Sequence, residues 1–314
     1  MSSIEPPEGS PPPNTGRFGG SGTLSLRVRA ARGVMVNASF NVVVQALTAV
    51  QGLALAGMLS VDQYGLWGLI TVTLGTLLWL GAIGLDDKYI QQDEPDQEEA
   101  FQIAFTLQCL LCGAFLLIVA VAMPLFALAY DRPELVTPAL VLGLGAMPAI
   151  ALQTPLWVFY RRMDFVTQRR LQLWAPVVSL ALLVPLAAAG FGVWAPVWAT
   201  LASAWAAAFA AVRASPYPLR LRWRPGAARE YTSFSLPLFV SAATGVLTAQ
   251  IPVLVASNSL GLEAVAALTL ANTIAVFAYR VDALVTGTLY PAICAVADRL
   301  DLLFETFTKS NRLA

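Results

Sequence analysis

The chain has 314 residues, of which 57% are apolar and 12% charged, about half the charge of a soluble domain. Basic and acidic residues number 19 each, so bulk charge offers no basis for nucleic-acid binding. With no histidine and only Cys109, Cys112 and Cys294, the sequence excludes His-dependent triads, His metal sites and a disulfide framework. The apolar residues are gathered in long runs, which points to a polytopic membrane protein.

In chain order, residues 1–23 are rich in Pro, Gly, Ser and Glu and read as a disordered cytoplasmic tail. They have no basic start followed by an apolar core, so they do not read as a signal peptide. Residues 24–33 alternate apolar and basic and are expected to lie along the membrane surface as an amphipathic segment. Eight spans follow, at roughly 34–59, 64–85, 100–125, 135–160, 171–190, 193–212, 234–257 and 262–283. The fold class is therefore an all-α transmembrane helical bundle. Runs this long and unalternating exclude the dyad pattern of a membrane β-barrel.

The basic residues test the orientation. Seventeen of 19 fall on one side: the N-terminal segment, Lys88, the 4–5 loop, the 6–7 loop and the C-terminal stretch. Arg132 lies on the other side, and Arg280 falls within span 8. This bias places both termini in the cytoplasm. The 2–3 loop is acidic (Asp86, Asp87, Asp93, Glu94, Asp96, Glu98, Glu99) and reads as a solvated connector. Acidic residues contribute little to topology.

The external connections are very short, leaving no room for an enzyme's acceptor site. Asp62, the acid in the first of them, is expected in a turn or helix cap. No P-loop, HExxH or nucleophile elbow is present. Cys109-Leu-Leu-Cys112 lies mid-span without a nearby acid and reads as packing. The sequence thus predicts no enzyme, no metal and no cofactor.

The first and last hairpins resemble each other. Ala46-Leu47-Thr48-Ala49 matches Val246-Leu247-Thr248-Ala249 at an offset of 200. Leu59-Ser60-Val61-Asp62 parallels Leu260-Gly261-Leu262-Glu263 one residue out of that register. Six spans separate the copies, and an even number keeps their orientation parallel. A repeat unit of about 200 residues and six helices follows. Residues 34–230 would be one complete six-helix lobe with its cytoplasmic 6–7 loop. Residues 231–314 would be the start of a second lobe, with two spans and an amphipathic C-terminal segment.

Four passages carry a family resemblance: Tyr64-Gly65-Leu66-Trp67 running into the acidic 2–3 loop, FYRRMDF at 159–165, GFGVW at 190–194, and FSLP at 234–237 with the charged stretch after Tyr290-Pro291. In their order and spacing the chain resembles the oligosaccharide flippases of polysaccharide biosynthesis, within the multidrug/oligosaccharidyl-lipid/polysaccharide exporter superfamily. The resemblance implies two six-helix lobes around a central cavity in the cell membrane, with the second lobe here C-terminally truncated. It implies export of a polyprenyl-diphosphate oligosaccharide, with a polysaccharide polymerase and glycosyltransferases as partners alongside membrane lipid, and no nucleic acid. A drug/cation antiporter or peptidoglycan-precursor flippase of the same superfamily stays open. So does a non-transporting scaffold or inactive remnant.

A diphosphate substrate calls for polar and cationic groups inside spans. Arg280 and Asp282 stand out in span 8, as a cavity pair or as charges snorkelling to the interface. Asn37, Asn41, Gln45 and Thr48 form a polar stripe on span 1, and Gln250 and Asn272 are similar groups in spans 7 and 8. Gln108, Gln153 and Gln172 read as packing groups. Pro148, Pro155, Pro176, Pro185 and Pro252 fall inside spans and are expected to bend them.

Overall fold

A computed structural model of the chain describes residues 26–81, 84–224 and 251–272, together with Gly226, Arg229, Tyr231 and Thr248. The described residues contain helices and no strand. The long helices are α1 (Leu26–Met58), α2 (Val61–Gly81), α4 (Gln97–Ala129), α5 (Val136–Ala151) and α9 (Trp194–Ala214). Shorter ones are α3 (Leu85–Gln91), α6 (Pro155–Arg161), α7 (Phe165–Gln172) and α8 (Trp174–Ala188). Two more, α10 (Ile251–Leu260) and α11 (Leu262–Asn272), fall in the expected spans 7 and 8. Five stretches among the described residues are long and apolar enough to cross a bilayer. In α1 the helix is continuous from Leu26, so the basic segment and the first span form one rod.

Spans 4 and 5, expected as single helices, are each broken. Pro155 has no N–H to give the carbonyl of Ala151, four residues earlier. The Thr154 hydroxyl takes over, donating to Ala151 O at 2.7 Å, and the chain turns between α5 and α6. Pro176 likewise leaves the Gln172 carbonyl without its helical donor, and the helix is interrupted at Leu173, between α7 and α8. Between α6 and α7, Asp164 N donates back to Phe159 O with Met163 in the left-handed region (φ 56°). The Asp164 carboxylate then caps α7 by accepting from Thr167 N at 3.1 Å. The FYRRMDF passage is therefore a helix–turn–cap unit.

The tight turn between α8 and α9 depends on glycine. Gly190 adopts φ 83° and Gly192 φ 55°. A Cβ on Gly192 would meet Gln63 Nε2 at 2.6 Å, because the turn rests on the start of α2. There Ser60 and Gln63 cap α2 reciprocally, Gln63 N donating to Ser60 Oγ at 3.3 Å. Asp62 sits in that first helical turn, where its charge suits the helix dipole. Cys112 is buried and accepts a 3.6 Å contact from Gln108 Nε2, a packing position.

The core lies where α2, α4, α5 and α9 meet, around Leu69, Ile70, Val119, Met123, Leu135 and Val197. Val253, Leu262 and Val265 from α10 and α11 join it. The two repeat-related hairpins therefore pack on each other. Gly65 faces the Leu262 backbone, where an added Cβ would lie 2.8 Å from Leu262 O; a Cβ on Gly68 would lie 2.4 Å from Thr269 Oγ1. Asn258 Nδ2 donates to Ala129 O at 3.0 Å, tying the same end of α10 to the end of α4. Large apolar side chains such as Leu53, Leu117, Val121, Leu128 and Phe209 stay exposed around the bundle, as lipid-facing surfaces require.

At the opposite, basic end the acidic 2–3 segment is folded rather than a solvated connector. Its helix α3 buries Leu85, Tyr89 and Ile90. Arg161, 4% exposed, donates from Nη1 to the carbonyls of Tyr89 and Ile90 at the end of α3. Asp96 caps α4, accepting from Glu98 N and Glu99 N, both at 3.0 Å. The 6–7 strap crosses this acidic surface: Arg224 pairs with Glu94 at 2.7 Å and Arg222 with Glu99 at 3.3 Å. Arg222 N also donates to Thr106 Oγ1 at 2.8 Å, and Arg162 donates to Tyr217 Oη at 2.7 Å. The 6–7 segment is thus strapped to α3, α4 and α6 as far as Arg224.

Two outcomes follow from these contacts. Gly68→Leu forces α2 away from α11 and costs about 1–3 kcal/mol by overpacking, whereas Gly75→Ala, which has nothing within 4 Å of its new Cβ, is neutral; thermal unfolding in detergent distinguishes them. The hydrogen bond from Arg224 holds the Glu94 carboxyl below its ordinary value of 4.5. Because the value is depressed on folding, the ion pair contributes fully above that ordinary value and fades as the pH falls through the lower, folded one. Glu94→Gln combined with Glu99→Gln should therefore expose Arg220 and Arg222 to trypsin at neutral pH, where the unmodified strap resists cleavage.

Candidate functional site

The polar residues of span 1 converge on the bend of span 5. Asn37 lies on α1 just before the apolar stretch Ser39–Met58 and is 1% exposed. Its Oδ1 accepts from Arg169 Nε at 2.7 Å. On α7, Arg169 Nη1 also donates to Gln172 Oε1 at 2.7 Å, an i to i+3 contact on one helix face. Below this pair lies a cavity of about 160 Å³ lined by Phe40, Asn41, Val44, Arg169, Gln172 and Pro176. Deeper in the bundle, Gln51 Nε2 donates to Pro176 O at 3.1 Å, holding α1 against α8.

Packing of α7 on α1 brings Arg169 to Asn37 and sets Arg169 and Gln172 beside Asn41 in the cavity wall. Four arginines lie at 161–170, and their surroundings differ. Arg161 is consumed by the α3 carbonyls and Arg162 by Tyr217, while Arg170 is exposed. Arg169 is half-buried and faces the cavity, and no carboxylate lies within ion-pair distance of it among the described residues. Its two hydrogen-bond partners are neutral amide oxygens, which orient a guanidinium without neutralising it.

Of the groups singled out in the sequence, Asn41 lines this cavity and Asn37 holds Arg169 beside it. Gln45 is half-buried one turn further along α1, and Thr48 bonds its own helix at Val44 O (2.8 Å). Asn272 is exposed at the last described turn of α11. Gln250, Arg280 and Asp282 lie outside the described residues. Sequence reasoning missed Arg169, because it belongs to a basic loop that orientation alone accounts for, and took Gln172 for a packing group. The i, i+3 spacing of Arg169 and Gln172, just before Pro176, is the signal that marks them. Among the described residues no group of three or more acids or cysteines is placed to hold a metal.

The architecture is similar to solved transporters. A multidrug and toxin extrusion (MATE) transporter crystallised in complex with Br-NRF superposes with a TM-score of 0.66 at 15% identity, covering 92% of this chain and 73% of that one. A MATE structure in a straight conformation gives 0.62 at 16% identity, covering 92% and 69%. A transporter of the MOP superfamily from Pyrococcus furiosus, described as having a binding pocket of reversed polarity, gives 0.60 at 17% identity, covering 92% and 68%. At these identities the likeness establishes the fold. No curated protein sequence matches the chain. A family model described as polysaccharide biosynthesis protein matches residues 54–314.

Proposed function

The chain belongs to the polysaccharide biosynthesis protein family and has the fold of membrane exporters, and from that premise we propose that it moves a lipid-linked oligosaccharide across the cell membrane. The substrate in this reading is a polyprenyl-diphosphate sugar taken up at the cytoplasmic leaflet and released at the outer one. The basic end of the bundle, with α3 and the 6–7 strap, is then the cytoplasmic face. A polysaccharide polymerase and the glycosyltransferases that build the sugar are the corresponding partners.

The observation that carries this reading is the cavity at Asn41, Arg169 and Gln172. A recess with mainly apolar walls that carries Arg169 and the amides of Asn41 and Gln172 suits a substrate with an anionic head and an apolar tail. It is a poor fit for a cation antiporter, which needs a carboxylate where this site has an arginine and amides. The bends at Pro155 and Pro176 and the glycine seam between α2 and α11 supply elements that one lobe could move against the other. Arg280, from span 8, would complete the charge on the second-lobe side.

Polymer production in a deletion strain complemented with variants tests the proposal. Asn41→Leu, which removes a polar wall of the cavity, should lower surface polymer by about tenfold, the scale of one lost polar contact. Arg280→Ala should abolish export with membrane insertion unchanged. Full polymer yield from both variants, or accumulation of no lipid-linked intermediate in the deletion strain, would overturn the reading.

A further inference from the structure

We infer that Arg220, Leu221 and Trp223 on the 6–7 strap form an interfacial anchor that seats in the headgroup layer of an anionic phospholipid leaflet. The strap, residues 215–224, leaves α9 and crosses α4 without helical structure. Its side chains divide into three sets. Tyr217 and Leu219 pack inward against the cluster of Tyr89, Phe101 and Val158. Arg222 and Arg224 turn to Glu99 and Glu94. Leu221 and Trp223, which alternate with those two arginines, stay 72% and 56% exposed. Arg220 is exposed too, and no carboxylate lies within ion-pair distance of it among the described residues.

The place where the strap crosses decides what it meets. Arg222 N donates to Thr106 Oγ1 at 2.8 Å, so the strap lies on α4 at that turn. From Ala100 to Cys109 no residue of α4 is exposed. Leu110 is exposed and opens the run of outward apolar side chains that continues through Leu117, Val121 and Leu128. It stands one turn beyond Thr106, on the same helix face and about 6 Å along the axis. The strap therefore sits at the rim where the charged end of the bundle gives way to its lipid-facing side. Headgroups and the upper acyl chains occupy that depth. An indole suits it, with an apolar body and one N–H for water or a phosphate. Leu221 adds apolar surface, and Arg220 a guanidinium that matches phosphate oxygens. Its charge favours a leaflet of net negative charge over a zwitterionic one. An acidic protein surface would match Arg220 as well, but it would have to displace the lipid that borders Leu110. The anchor requires only that the chain lies in a membrane and is independent of what the chain moves.

The alternative is a strap that only fastens α3, α4 and α6 while its outer side chains face water. The two roles separate in nanodiscs that hold the full chain in phosphatidylcholine. Subtracting the fluorescence of Trp223→Phe from that of the unmodified chain isolates the signal of Trp223. Phosphatidylcholine brominated high on its acyl chains should quench that signal, and acrylamide in the water should quench it little. Brominated phosphatidylglycerol, added as the same minor fraction, should quench it more strongly, because the anionic lipid gathers around Arg220. In the Arg220→Gln background that local enrichment should fall about fivefold, the scale of one basic residue at a charged leaflet. Arg132→Gln, at the opposite end of the bundle, should leave it unchanged. Arg220 and Trp223 make none of the strap's fastening contacts named above, so both variants should unfold in lipid-free detergent at the temperature of the unmodified chain. A Trp223 signal that acrylamide quenches and brominated lipid does not overturns the anchor and leaves the strap facing water or a protein partner. Equal quenching by the two brominated lipids, or an enrichment that Arg220→Gln does not reduce, overturns the selection of an anionic leaflet and the inference with it.

Discussion

Every backbone polar group within a bilayer must find its partner inside the protein. That constraint decides more of this molecule than any single contact. It forces the apolar runs into helices and makes each departure from a straight helix a local problem to be solved by a neighbouring group. At Ala151 the solution is the hydroxyl of Thr154, which replaces the N–H that Pro155 lacks. Near Pro176 an amide from another helix, Gln51, donates to the backbone.

Charge is organised by a second rule. The chain is neutral overall, yet its basic and acidic residues meet at one end of the bundle. Glu94 and Glu99 from the 2–3 segment receive Arg224 and Arg222 from the strap, while Arg161 stabilises the carbonyl end of α3. Exposed pairs of this kind contribute little singly. Here they act together with the ring packing of Tyr217 on Phe101, centroids 5.7 Å apart, and with the bond from Arg222 N to Thr106. The 6–7 strap is consequently fastened to α4 and the acidic segment up to Arg224. The chain bears a left-handed glycine, Gly226 at φ 100°, two residues later.

At the other end α2 and α11 touch through glycine. Gly65 and Gly68 allow α2 and α11 to approach until a single added carbon would collide with Leu262 and Thr269. Contacts of this kind rest on packing alone, since lipid offers no hydrophobic drive between helices. They fasten the ends of the two hairpins without charge or long side chains, in contrast to the basic end.

The helical class and the gathering of basic residues into a few connections were legible in the sequence. Both follow from local chemistry, apolar run length and the clustering of arginine, whereas the helix starts set by the caps Asp96 and Asp164 were not foreseen. The polar stripe of Asn37 and Asn41 was visible for the same reason, as two amides one turn apart. What faced that stripe was not. Arg161, Arg162, Arg169 and Arg170 are alike in sequence, and nothing local says that the first would cap α3, the second meet Tyr217, the third enter a cavity and the fourth stay exposed. The acidic segment likewise looked solvated, because its partners lie more than a hundred residues away on the strap. Sequence fixes what a residue can offer. Which of those offers is accepted depends on contacts between distant segments, and only the packing of the bends and hairpins brings those segments together.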